Sequence, residues 1–231
     1  MLEAMKNILF VVLTLFFFSC GNEKVLLLPE ISHSEITDIK DVSHAYLFYD
    51  ETKTDRVELN RKNLISTTNW LINVDRRLTL KQAIPHIKYL QDKKVNSSHK
   101  NEKAKNYFTC NDTSKKNLGF VEFTDVVYHF ESEYKYFKEK NRPSLISVID
   151  IVALDEIHLN LVEEGHDQNA SPFSLSSLNK KLRELNNEFE LYTYIYFNSN
   201  INFQDYISIK SELSKLDWKH IKISNQEFLY N

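Results

Sequence analysis

Glycine occurs only three times in 231 residues, at positions 21, 119 and 165, which excludes the glycine-rich loops that hold phosphates against bare backbone. Cysteine occurs twice, as Cys20 and Cys110. Neither sign of charge is in excess: the formal net charge is −3, so there is no electrostatic ground for binding nucleic acid. None of the eight histidines falls in an HxH or HExxH pattern, and no Gly-x-Ser-x-Gly elbow is present. These absences leave no residue to assign as catalytic, as a metal ligand or as a cofactor contact, and the chain reads as a non-enzyme. Hydrophobic content of 42% is that of a folded globular protein.

What is present begins at the N-terminus. Lys6-Asn7 precedes an apolar run from Ile8 to Phe18, broken only by Thr14, and Ser19-Cys20-Gly21 follows. A basic start, a short apolar stretch and a small residue before a cut describe a secretory signal over residues 1–19, with Met5 the natural start. At a rise of 1.5 Å per residue the run spans about 16 Å, roughly half a hydrocarbon core. The alternatives are an N-terminal membrane anchor or a buried strand. Phe17-Phe18-Ser19-Cys20 resembles the lipobox of bacterial lipoproteins, although Phe17 stands where leucine is commonest. The resemblance implies lipidation of Cys20, including a palmitate-type acyl chain, and location in the cell envelope facing the periplasm or cell surface. Gly21 lacks the aspartate associated with inner-membrane retention, which favours the outer membrane. Cys110 is then the only other cysteine, so no intramolecular disulfide is available.

Residues 20–42 have no clear period and read as a lipidated tether. From Ser43 the pattern changes. Ala45–Tyr49 and Val57–Asn60 form a hairpin, and Trp70–Val74 is a strand. Thr79 with Gln82 is a capping box for a helix carrying Leu80, Ile84, Ile87 and Leu90, with Pro85 inside it. Lys93–Lys116 reads as a lysine-rich solvated loop, or alternatively as a contact for an anionic surface such as lipid headgroups. Leu118–Phe123 is a fourth strand-like run. Residues 126–142 are a charged, aromatic connector. Beyond Pro143, 145–154 and 156–161 form a second hairpin, Leu175 to Leu185 an amphipathic helix, Leu191–Phe197 a strand, and Asn202 caps a helix with Phe203, Ile207, Lys210, Leu213 and Leu216 on one face. Lys219–Ser224 closes the chain as a strand.

Leu71–Leu90 laid over Tyr194–Leu213 without a gap matches Asp75 with Asn198, Thr79 with Asn202 and Leu80 with Phe203. Val57–Asn60 similarly recurs as Ile157–Asn160. The expected fold is α+β: two tandem small two-layer α/β units, ββαβαβ-like, over 43–125 and 143–231, the first copy degenerate. The second unit resembles the periplasmic domain of the ExbD/TolR family of biopolymer-transport proteins, with Leu159-Asn160, Asn198, Phe203 and Tyr206–Leu216 at the positions that carry the likeness. The resemblance implies an envelope protein partner, less plausibly peptidoglycan, reached by strand addition, and a tendency to homodimerise. The family's transmembrane aspartate has no counterpart, because residues 5–19 contain no acidic residue.

Two alternatives come from other features. Glu163-Glu164-Gly165-His166-Asp167 gathers carboxylates and a histidine, which suggests a small-ligand or metal binder or an enzyme using that loop, although no established ligand spacing is present. A structural surface lipoprotein is the other. His86, Cys110 and the pair Asp150 and Asp155 carry titratable chemistry without a recognisable partner.

Overall fold

The computed structural model describes residues 24–130, 145–163, 166–168, 171–185, 191–215 and 221–231. Alternation fixes the first sheet. In strand β2 (Val42–Tyr49), Ser43, Ala45 and Leu47 are buried while His44, Tyr46 and Phe48 line the opposite face as a ladder of rings about 6 Å apart, with centroids at 6.1 and 5.9 Å. β2 pairs antiparallel with β3 (Val57–Asn60) and parallel with β4 (Asn69–Val74). β4 pairs in parallel with β5 (Asn106–Asp112), which pairs antiparallel with β6 (Asn117–Glu122). Helix α1 (Leu80–Val95) runs through Pro85, and its capping box is formed: the Thr79 amide donates to Gln82 Oε1 at 2.9 Å.

The second sheet has the order β10-β9-β8-β11-β12-β7. Its strands are β7 (Val127–His129), β8 (Leu145–Ala153), β9 (Glu156–Glu163), β10 (His166–Gln168), β11 (Leu191–Asn198) and β12 (Ile221–Tyr230). The helices are α2 (Leu175–Leu185) and α3 (Phe203–Ser214), the latter capped by Asn202, whose Oδ1 accepts from the Asp205 amide at 2.8 Å. The molecule is thus mixed α+β, with two small sheet-and-helix units.

The units are related by a pseudo-two-fold. Leu80 N–H donates to Ile201 O and Phe203 N–H to Leu78 O, at 3.0 and 2.7 Å. Lys81 N–H donates to Ser199 O and Gln204 N–H to Arg76 O, at 2.8 and 3.3 Å. Adding 123 to each residue of the first unit gives its partner in the second, so these four bonds form two symmetric pairs about the bridge Thr79–Asn202. First-turn amides of a helix lack intrahelical acceptors; here each helix start finds them on the other unit. The core is shared accordingly: residues of both sheets and of α1, α2 and α3 form one buried cluster, in which Phe108 of β5 meets Phe203 of α3 edge-on at 5.1 Å.

Four expectations change. The lysine-rich stretch contains β5, whose Asn106–Cys110 are all buried; Tyr107, Phe108 and Thr109 are good strand formers, and the flanking lysines masked them. The hairpin correspondence shifts by two residues: Leu59 pairs with Leu47 while Ile157 pairs with Ile151, because the link 50–56 is longer than the turn 154–155. The stretch read as a tether is docked from Lys24 onward. It lies across the C-terminal ends of β2, β4 and β5, adds β1 (Glu30–Ile31) in parallel to β5, and crosses to β6, where Ile36 bridges Phe120. Three aspartates at those strand ends hold this strap: Asp50 accepts from Lys24 Nζ, Asp75 from the Leu27 amide and Asp112 from the Ser34 amide. The segment 126–142 contributes β7 to the second sheet.

The strap passes over Gly119, where an added Cβ would stand 2.5 Å from Ser34 Cβ. Gly119→Val is therefore expected to destabilise by about 2–3 kcal/mol in urea denaturation, whereas Leu118→Ala, on an exposed side chain, is expected to change little. Native-state hydrogen exchange checks the junction: the amides of Leu80, Lys81, Phe203 and Gln204 are expected to exchange only with global unfolding, and fast exchange at these four positions would contradict a stable bridge.

Candidate functional site

Where the strap turns around β6, a cavity of about 340 Å³ opens between the two units. Its walls are strap residues His33–Ile36, Phe120–Glu122 of β6, and Lys210, Ser211 and Ser214 of α3 with Lys215 beyond it; Ile195 and Ile223 of the second sheet form an apolar floor. Ser34 is fixed there on every side. Its amide donates to Asp112 at 2.8 Å, its hydroxyl to Ile36 O at 2.8 Å, and its carbonyl accepts from Lys115 Nζ at 2.8 Å. The Ser114 hydroxyl, with the amides of Lys115, Ser34 and Ser114, lowers the Asp112 carboxyl to about 2. Asp112 is therefore ionised, and an acceptor, at any physiological pH.

A buried polar chain lies behind the α3 wall. Lys210 Nζ donates to Glu227 Oε1 at 2.6 Å, Tyr206 Oη–H to Glu227 Oε2 at 2.9 Å, and the Tyr128 and Tyr206 hydroxyls lie 3.2 Å apart. With Tyr206 committed to the carboxylate, Tyr128 is the donor of the last bond. Burial and the neighbouring Glu227 charge raise both tyrosines well above their ordinary value. They stay protonated and serve as donors rather than as acid–base groups. The chain ties β7, α3 and β12 together and leaves the Lys210 side chain 18% exposed at the cavity wall. The sequence carried one signal of it: a lysine in the middle of an apolar helix face requires a buried partner. Glu227 and Tyr128 carried none, being single residues far apart in the chain.

A second buried cation sits at the end of α1. Lys94 Nζ donates to Asn106 Oδ1 at 2.8 Å and to Lys105 O at 3.1 Å, and stands 5.0 Å over the Trp70 ring. Desolvation by burial lowers it to about 8.

The residues singled out in the sequence are scattered. Cys20 and the pair 164–165 lie outside the described residues. Glu163 ends β9 and pairs antiparallel with His166 at the start of β10, so both belong to strands of the second sheet. Asp167 pairs with Val162. Cys110 is fully buried, and its thiol is pushed far up by desolvation, so it is inert as a nucleophile. His86 lies on α1, 3.8 Å from Asp55. Asp150 accepts from the Tyr230 hydroxyl at 2.7 Å, while Asp155 sits in the β8–β9 turn. Among the described residues no three His, Cys, Asp or Glu side chains converge as metal ligands, and no helix is long and apolar enough to cross a membrane. Compared with known protein families, curated proteins and solved structures, the chain matches none.

Lys210→Met strands a buried carboxylate and is expected to cost about 3 kcal/mol, at least half of it recovered by adding Glu227→Gln. Additive losses in that double-mutant cycle would contradict a coupled pair. For Lys94 the folded value lies below the unfolded 10.5. The cation therefore opposes folding while both states are protonated, and stability rises as pH passes from about 8 to 10.5. Over that window the wild type is expected to gain on Lys94→Met by up to about 1.4 kcal/mol per pH unit. Parallel pH profiles from chemical denaturation would count against this.

Proposed function

We propose that the chain is a lipoprotein anchored through Cys20 in the cell envelope, in the outer membrane in preference to the inner, whose paired units bind another envelope protein. The reading extends to ExbD/TolR-like biopolymer transport. The observation that carries it is the element order of the second unit: hairpin β8–β9, short β10, helix α2, strand β11 ending at Asn198, helix α3 opening at Phe203, and strand β12. That order is the one the resemblance implies, with β10 added, and the first unit repeats its paired strands and last helix. The pseudo-two-fold also fits a family expected to work in pairs, since one chain supplies both members. Strand β3 offers a route of recognition: β2 is its only strand partner among the described residues, and its other edge accepts an added strand.

The cavity beside Lys210 favours a second reading, as a small-ligand binder. Its size lies at the lower end of those of small-molecule sites, and an apolar floor under a few polar groups is the usual lining. The site would be this cavity rather than the stretch around His166.

Both parts of the main reading are tested in cells. Labelled palmitate is expected in the full chain and absent from Cys20→Ser. A photo-crosslinking residue at Glu58, on β3, is expected to capture a component of an energised transport complex. An adduct of twice the chain mass indicates a homodimer instead, and a full chain without label, or a Cys20→Ser form that keeps it, would refute the lipoprotein reading.

A further inference from the structure

The strap changes how far this protein stands from the membrane. A free tether over residues 20–42 would reach roughly 70 Å when extended, at about 3.3 Å per residue. The chain is already fixed at Lys24, whose ammonium bonds Asp50 and Glu58. Between Cys20 and Lys24 lie only enough residues to span about 14 Å. A headgroup layer takes roughly 6 Å of that, and the remainder is less than the roughly 10 Å spacing of two packed sheets. A body held so closely touches the lipid surface.

The surface at that corner suits the contact. Val25 is 66% exposed, the most exposed large hydrophobic residue there, and Leu26 beside it is half-buried. Next to them, residues 51–56 of the link between β2 and β3 are exposed and carry Lys53 and Arg56 together with Glu51 and Asp55. Lys24 bonds Asp50 and Glu58, and Lys53 lies 3.6 Å from Glu58, so these two carboxylates are paired, while Glu51 and Asp55 balance the remaining positive charge of the link. Arg56 adopts φ of 58°, and its guanidinium donates to the Tyr49 hydroxyl at 3.1 Å, which holds it beside the link.

We propose that this corner, Val25 and Leu26 with the exposed link 51–56, is a membrane-contact surface: the apolar pair enters the boundary of headgroups and acyl chains, and the link, with charges of both signs, lies at the level of the zwitterionic headgroups. The inference rests on lipid attachment at Cys20. It makes the strap a rigid foot that fixes the orientation of both units, with the β2–β3 end down.

The full-length lipidated protein, reconstituted in phosphatidylethanolamine–phosphatidylglycerol vesicles with headgroup spin-labelled lipid, provides the test. Single reporters Lys53→Cys, Val25→Cys and Lys180→Cys carry a fluorophore; Lys180 lies on the exposed side of α2. Fluorescence at positions 25 and 53 is expected to be quenched at least about threefold more than at 180. Inserting a long glycine–serine linker between Cys20 and Lys24 is expected to abolish that difference while the protein still floats with the vesicles. Flotation with equal quenching at the three positions overturns the contact surface and leaves the lipoprotein reading intact. Failure of the full chain to float overturns both.

Discussion

Four backbone hydrogen bonds at the starts of α1 and α3 hold the two halves of this molecule in one arrangement. Each bond contributes only about 1 kcal/mol net, but their donors are the amides that a helix cannot satisfy by itself. Separating the units would expose these groups together with a core that neither half closes alone, since Phe108, Phe203 and Tyr206 pack across the boundary. The strap, the cavity and the buried polar chain are all defined relative to this junction.

Within that constraint the halves have diverged. Ser43 and Ser147 occupy equivalent places and each meets a hydroxyl, that of Thr68 or of Thr193, at 2.8 and 2.6 Å. Trp70 of the first unit corresponds to Thr193 of the second. The second unit has α2, which places Leu178 and Leu182 in the core; the first has no helix there and fills space with the indole, whose N–H donates to Ile65 O at 2.7 Å. Fold and pairing are retained while volume is supplied from different places, as cores tolerate when the total is preserved.

Periodicity made most of the elements legible. The capping box at Thr79, the cap at Asn202 and the gap-free match of Leu71–Leu90 with Tyr194–Leu213 come from local chemistry, and local chemistry survives in the fold. β5 was hidden because charge density in 93–116 outweighed five buried residues in the middle. The strap was hidden for a different reason. Val25–Asp41 has no period because it pairs with several elements in turn: Asp75, Asn111, Asp112, Phe120 and Gln204. Such a segment has meaning only in three dimensions. The cavity shares that property, with walls from residues near 34, 121 and 212.

The strap also sets an order of events. Its amides and carbonyls meet partners up to 174 residues further along the chain, as Glu30 does at Gln204. The strap, although made before the elements it docks on, is therefore among the last segments to be fixed, because its seat does not exist until β5, β6 and α3 are in place. A lipid joined to Cys20 early in export would meet an unfolded, extended chain with long reach. With the proposed anchor at Cys20, that reach would shorten as the sheets close and the strap docks, and folding itself would draw the body toward the membrane.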